Sequence, residues 1–236
     1  MINLSVNINK IATIRNARGG NLPDVTQFAV DCQKYGADGI TFHPRPDERH
    51  ITLKDVYSIS EHISTEFNIE GYPDDRYIKI IKNIKPHQAT LVPDPPNVLT
   101  SDNGWNIQKE MENLKRIIGE LHDIGTRVSI FVNPDERSII DAVKTGTDRI
   151  ELYTGPFADQ FINNPVAAVQ EYSKAAELAG QAGLSVNAGH DLNLENLKYF
   201  QEHVKPLAEV SIGHALISDS LYFGIEETIM KYKSCL

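Results

Sequence analysis

A histidine closes a short apolar run in Asp38-Gly-Ile-Thr-Phe-His43-Pro-Arg45-Pro-Asp-Glu-Arg49-His50, and two arginines and a second histidine follow at once. A base beside a cluster of cations is the equipment for holding a small anion and moving a proton next to it. On its own the stretch also reads as a solvated basic loop. Two carboxylates add to it. Glu70 and Glu151 sit inside apolar runs, Ile69-Glu70-Gly71 and Ile150-Glu151-Leu152. Burying a carboxylate is costly unless it is paired or used, and burial raises its pKa toward the range where it shuttles protons near neutrality. For Glu151 the structural reading is a salt bridge to an arginine inside the fold. For Glu70, the following Gly71 suggests a close backbone approach to a ligand.

These residues make one site only if the chain gathers the ends of its apolar runs. The pattern predicts strands at 2–7, 39–42, 67–70, 89–92, 127–132, 149–153, 184–187 and 209–212. Helices are predicted at about 24–35, 53–64, 73–83, 107–124, 136–144, 165–182, 194–203 and 225–232, the second entered through Thr52 as N-cap with Asp55 three residues on. Residues 93–104 carry no period, and a loop of that length in a compact fold is more often functional than idle. Eight strands alternating with helices predict an α/β fold, a single (β/α)8 TIM barrel with a parallel eight-stranded core, in one domain spanning 1–236. No GxGxxG turn follows the first strand, which weakens a doubly wound alternative.

Active sites of such barrels lie at the C-terminal strand ends. Asn7 ends the first strand, with Arg15 and Arg18 shortly after it, and His43 ends the second. Glu70 lies on the third and Glu151 on the sixth. His190 and Asp191 follow the seventh, and Gly213 and His214 the eighth. Four of the eight histidines (His43, His50, His190 and His214) therefore fall at or just past strand ends. Gly213-His214 opens the segment where barrels of this kind hold phosphate on backbone N–H groups. Arg45 and His50 could hold a second anion.

The totals narrow the function classes. A net charge of −9 argues against a nucleic-acid surface, while local arginines still allow an anionic substrate. Cys32 and Cys235 match no metal spacing and fit a reducing cytoplasm. No run approaches the roughly 20 apolar residues of a membrane span, and the first residues lack a signal-peptide pattern. A soluble, cytoplasmic protein is the expectation.

Six stretches resemble the signature segments of the pyridoxine 5′-phosphate synthase family. They are Val6-Asn7-Ile-Asn-Lys-Ile-Ala-Thr-Ile-Arg15-Asn-Ala-Arg18-Gly, Gly-Ala-Asp-Gly-Ile-Thr-Phe-His43-Pro-Arg45, Arg49-His50-Ile-Thr, Arg149-Ile-Glu151-Leu-Tyr-Thr-Gly, Val186-Asn-Ala-Gly-His190 and Ile212-Gly-His214-Ala. The resemblance implies a (β/α)8 barrel, usually octameric. It would condense 1-deoxy-D-xylulose 5-phosphate with 3-amino-2-oxopropyl phosphate, releasing phosphate and water, without a metal or other cofactor. It also implies roles. His43 and Glu70 match proton acceptors, His190 the proton donor, and Glu151 a residue that stabilises the transition state. Asn7, Arg18, Gly213 and His214 match contacts to the aminoketone phosphate, and Arg45, His50 and Thr100 those to the sugar phosphate. The 93–104 loop, carrying Thr100, would then be a lid over reactive imines. Asn9-Lys10 stands where many members have Asp-His, and Asp191 where glycine is common; both positions belong to the substrate-binding set.

Two other readings compete, the first being a different barrel enzyme acting on phosphosugars. A lysine-dependent aldolase needs a lysine inside the barrel, and only Lys10 lies at a strand end. A metal-dependent aldolase or epimerase could use His43, Glu70, His190 and His214 as ligands. A non-catalytic phosphosugar binder on the same barrel is the second.

Overall fold

The computed structural model describes residues 1–93 and 103–236. The first half of the chain runs β1 (Asn3–Asn7), α1 (Asn9–Arg18), α2 (Val25–Lys34), β2 (Gly39–Phe42), α3 (Leu53–His62), β3 (Glu66–Gly71), α4 (Asp75–Ile84), β4 (Gln88–Leu91) and α5 (Ile107–His122). The second runs β5 (Arg127–Val132), α6 (Glu136–Thr145), β6 (Arg149–Leu152), α7 (Gly155–Phe161), α8 (Pro165–Gln181), β7 (Ser185–Ala188), α9 (Leu197–His203), β8 (Glu209–Ile212), α10 (His214–Phe223) and α11 (Ile225–Ser234). Each strand pairs in parallel with the next, and β8 returns to β1 through Leu4 opposite Val210. The chain forms the expected closed (β/α)8 barrel.

Strand alternation decides which face meets which solvent. Leu4, Val6, Ile40, Phe42, Ile69, Leu91, Ile130, Leu152, Val186 and Ile212 are fully buried and share one core with helix residues such as Ala29, Cys32, Ile59, Ile81 and Leu121. The intervening residues point inward and are mostly polar, with Phe131 of β5 an apolar exception beside Glu151. Ser5 Oγ and Thr41 Oγ1 lie 2.7 Å apart, Asn68 Nδ2 donates to Thr41 Oγ1 at 3.4 Å, and Thr90 Oγ1 donates to Asn68 Oδ1 at 3.0 Å. Barrel interiors are commonly filled by branched apolar side chains, so a polar lumen is a distinctive feature of this chain.

The first residues of five strands close the lower end of that lumen. Arg127 donates to Gln88 Oε1 at 3.0 Å and pairs with Glu66. Arg149 pairs with Glu209 at 3.2 Å and reaches Glu66 at 3.7 Å. Burial and the Glu66 charge still push Glu209 up to about 7, against the pull of Arg149. Both lumen arginines are therefore committed to the floor. The salt-bridge reading of Glu151 is not realised: among the described residues no arginine pairs with its carboxyl.

Local signals explain most of the helices. Thr52 caps α3 in a capping box, Asp55 N donating to Thr52 Oγ1 at 3.2 Å and Thr52 N to Asp55 Oδ2 at 2.8 Å. Asp55 also takes Arg15 Nη2 at 2.8 Å, and the same guanidinium donates to the His50 carbonyl at 3.2 Å. Arg15, which the sequence places near the site, is thus a buried brace that fixes His50 and the start of α3. Helices α1, α7 and α10 escape the periodic pattern. Neither α1 nor α7 has a capping side chain, α1 buries only Ile11, Ala12 and Arg15, and α7 is a short turn behind Pro156. In α10 apolar residues occupy both buried and exposed faces, with Leu216 and Ile217 inside and Leu221 and Tyr222 outside. The sequence starts α9 at 194, but Asn193 N donates to Asn196 Oδ1 and the helix begins at Leu197. Nearly all of the expected 93–104 lid, Thr100 included, lies outside the described residues.

Candidate active site

Asn7, Glu70, Glu151 and the residues just past β2, β7 and β8 converge at the C-terminal mouth of the barrel. Asn7 ties the first part together. Its Nδ2 donates to Glu70 Oε2 at 3.2 Å, and its Oδ1 accepts from Asn9 N at 3.1 Å. Asn9 Oδ1 in turn accepts from His43 N at 2.9 Å. A chain of three hydrogen bonds through Asn7 and Asn9 therefore sets the positions of both sequence-identified proton acceptors. Asn9 serves here by holding the His43 backbone, a role that needs only an oxygen. Asn9→Ala should lower kcat/KM by about tenfold through misplacement of His43, while Asn9→Asp, which keeps the acceptor, should retain most activity in steady-state assays.

Gly71 plays a different part from the one its sequence suggests. A Cβ there would lie 2.4 Å from the Tyr77 ring, so the glycine makes room for Tyr77 rather than for a ligand. Tyr77 OH donates to the Ile69 carbonyl at 2.8 Å and walls off the residue next to Glu70.

The cationic side of the mouth lies after β2. Arg45 and His50 are buried, and the His43 and His50 ring centroids are 6.1 Å apart. Ile51 N donates to His50 Nδ1 at 2.9 Å, which makes Nδ1 an acceptor and leaves the proton on Nε2 as a donor. Asp47, which the sequence did not single out, orients Arg45 through contacts at 3.1–3.4 Å. Lys10 is exposed, yet its charge depresses both His50 and His190, which places it at the rim of the mouth.

On the far side, His190 Nδ1 and Asp191 Oδ2 lie 3.0 Å apart, and Asp191 N donates to the fully buried Thr154 Oγ1 at 3.1 Å. Thr154 carried no signal beyond its place two residues past β6. Gly213 is the N-cap of α10 with no capping side-chain hydrogen bond, and its backbone passes so close to β1 that a Cβ would meet Asn7 Cβ at 3.1 Å. Amides of an uncapped first turn suit an anion, and His214 opens that turn, exposed. Arg18 lies exposed in the last turn of α1. Among the described residues it makes no hydrogen bond or ion pair with another member of the set.

Electrostatics separate the titratable groups. Burial, with smaller contributions from His50, Arg45 and Arg49, holds His43 down to about 3. Burial and the two arginines hold His50 down to about 4. Burial pushes Glu70 up to about 7, opposed by the His190 charge and the Asn7 hydrogen bond. Burial and the neighbouring charges of Glu70 and Glu209 raise Glu151 well above the carboxylate range. The Asp191 hydrogen bond raises His190 against the effect of its burial. The mouth therefore combines a neutral imidazole, a carboxyl poised to exchange its proton near neutrality, a second carboxyl raised well above its ordinary range and an imidazole shifted toward its protonated form. Groups pushed apart in this way divide acid and base roles. Among the described residues no three His, Cys, Asp or Glu side chains group as metal ligands, so the donor geometry lends the metal-dependent reading no support.

Comparison with known proteins points one way. The chain matches the sequence family described as "Pyridoxal phosphate biosynthesis protein PdxJ" over residues 4–236. It is 56% identical over 236 residues to a Porphyromonas gingivalis protein named pyridoxine 5′-phosphate synthase, covering 100% of this chain and 99% of that one. A Bacteroides fragilis protein of the same name is 53% identical, with 100% of both chains covered. Among solved structures, 3-keto-L-gulonate-6-phosphate decarboxylase from Vibrio cholerae superposes with a TM-score of 0.68 at 9% identity, covering 99% of this chain and 96% of that one. N-(5′-phosphoribosyl)anthranilate isomerase from Pyrococcus furiosus gives 0.64 at 13% identity, covering 100% and 98%. At such low identity these two report the barrel alone.

Proposed function

The chain belongs to the pyridoxine 5′-phosphate synthase family, and from that premise we propose how its barrel mouth condenses 1-deoxy-D-xylulose 5-phosphate with 3-amino-2-oxopropyl phosphate. The arrangement that carries the reading is the meeting of three proton carriers in one mouth, with His43 held low by burial, Glu70 lifted to about 7 and His190 raised by its contact with Asp191.

Arg45 and His50, with Thr100, hold the sugar phosphate: a planar guanidinium and an imidazole N–H both suit phosphate oxygens. The first turn of α10 at Gly213 and His214, with Asn7 and Arg18, holds the aminoketone phosphate. Asn9, Lys10 and Asp191 border the two phosphates. The amine of one substrate attacks the ketone of the other. As the C–N bond forms, nitrogen gives up its protons and the ketone oxygen takes two and leaves as water. Loss of inorganic phosphate, enol addition and ring closure need further proton transfers at neighbouring carbons. His43 and Glu70 accept those protons, and His190 supplies them to departing oxygen. Glu151, kept protonated by its surroundings, donates a hydrogen bond to oxygen that gains negative charge.

A group that titrates near 3 is too weak a base for this work, and the substrate corrects it. His43 is depressed partly by Arg45, Arg49 and His50. A phosphate dianion seated on those cations offsets their charge, so His43 gains basicity only when the sugar phosphate is in place. NMR titration of the labelled histidines tests this. His43 should stay neutral to well below pH 5 in the free protein and titrate at higher pH when saturated with the sugar phosphate. An unchanged His43 titration in the saturated protein would contradict the assignment of Arg45 and His50 to that phosphate.

A cytoplasmic homo-octamer is part of the same proposal, carried by the family resemblance. Among the described residues no helix is long and apolar enough to cross a membrane, and the exposed Leu221, Tyr222, Phe223 and Met230 offer apolar surface for subunit contact.

A further inference from the structure

We propose that Asp191 is the positioning residue of the proton donor: its carboxylate accepts Nδ1–H of His190, so that the second ring N–H, on Nε2, is the one that delivers the proton. The inference rests on the reading of His190 as donor and assigns the side chain of Asp191 a task separate from phosphate contact.

Consecutive residues of an extended chain point to opposite faces. His190 and Asp191 meet only because the chain turns sharply after β7, Leu192 N donating to the Gly189 carbonyl at 2.7 Å. Both flanks of that turn are fixed. A Cβ on Gly189 would stand 1.9 Å from the Ser211 carbonyl oxygen, so the main chain lies hard against β8. On the other flank Thr154 Oγ1 accepts Asp191 N, and Asn196 Nδ2 donates to the Asp191 carbonyl at 3.3 Å. The backbone thus dictates the 3.0 Å contact between the two side chains.

A carboxylate on one ring nitrogen fixes the tautomer, or charges the ring, and orients the other nitrogen. Among the described residues, the charged groups acting on His190 include Asp191 and Glu70, which favour its protonated form, and Lys10, which opposes it. The pair also resolves an apparent conflict. A bare carboxylate beside a substrate phosphate is unfavourable, whereas one neutralised by an adjacent imidazolium is tolerated. Both side chains are partly exposed in the free protein, and exclusion of water by bound substrate would strengthen their attraction.

The test uses full-length Asp191→Asn and Asp191→Glu proteins, read by His190 NMR titration and by kcat/KM against pH. In Asp191→Asn the imidazolium should lose its proton at lower pH. The activity deficit should be slight near about pH 6 and reach about tenfold near about pH 8, a fraction of what a positioned acid supplies. Asp191→Glu should recover part of both. An unmoved His190 titration in Asp191→Asn overturns the proposal. So does a higher KM for the aminoketone phosphate with an unshifted pH profile, which would make Asp191 a ligand contact. Undiminished activity in His190→Asn would overturn the donor reading and this inference together.

Discussion

Glu70→Gln should lower kcat by about 10³-fold and at the same time stabilise the protein above about pH 7. Both effects have one cause. Glu70 is mostly buried at the barrel mouth, where burial lifts its carboxyl from 4.5 to about 7. That value makes it an exchanger of protons at working pH, and glutamine keeps the shape without the proton chemistry. For stability the sign follows from the raised value. The folded protein keeps this proton where the unfolded chain has already lost it. The group's contribution is complete below about pH 4.5 and declines as pH rises through about 7. Above that, ionised Glu70 costs the fold about 3 kcal/mol. Glutamine has no such penalty, so wild type and variant should unfold at similar urea concentrations near about pH 4, and the variant should be the more stable near about pH 8. A variant less stable near pH 8 would show that the native site favours ionised Glu70. A fall in kcat under tenfold would remove it from proton transfer.

Gly189→Ala should be the most damaging change that alters no functional group. The Cβ would stand 1.9 Å from the Ser211 carbonyl oxygen and within 3 Å of two further backbone atoms of that residue. Backbone cannot rotate aside as a side chain can, so β7 and β8 must separate where they deliver His190 and Gly213. Overpacking of this kind costs about 3 kcal/mol, and a shift of about 1 Å at a catalytic group costs about 10²-fold in rate. Both losses should appear together, in urea unfolding and in kcat/KM. Gly119→Ala is the control: a Cβ there, in α5, meets nothing within 4 Å, and alanine favours helix. It should leave activity unchanged and stability equal or slightly higher.

The sequence made the mouth legible because strand ends are marked by residues that do not belong in strands. His43, Glu70, Glu151, His190 and Gly213 each interrupt or close an apolar run, and the alternation of strand and helix told which end of the barrel they share. Other features rested on contacts that pattern does not encode. Gly71 answers to Tyr77, six residues later in α4, and Arg15 answers to Asp55, forty residues away. The polar lumen was hidden for a related reason. Alternating strands such as Leu4-Ser5-Val6-Asn7 state that one face is polar but not that it faces a barrel interior, where Glu66, Arg127, Arg149 and Glu209 pair with one another. The His190–Asp191 contact depends on a tight turn whose hydrogen bonds arise only in the folded chain.

The most direct test of the account is product formation by purified, EDTA-treated protein supplied with both phosphorylated substrates. Pyridoxine 5′-phosphate, followed by absorbance and mass, should appear together with an equal amount of inorganic phosphate, and Glu70→Gln should form almost none. Folded protein that binds the sugar phosphate but yields no product, or that turns over only when a divalent metal is restored, would contradict catalysis by His43, Glu70 and His190.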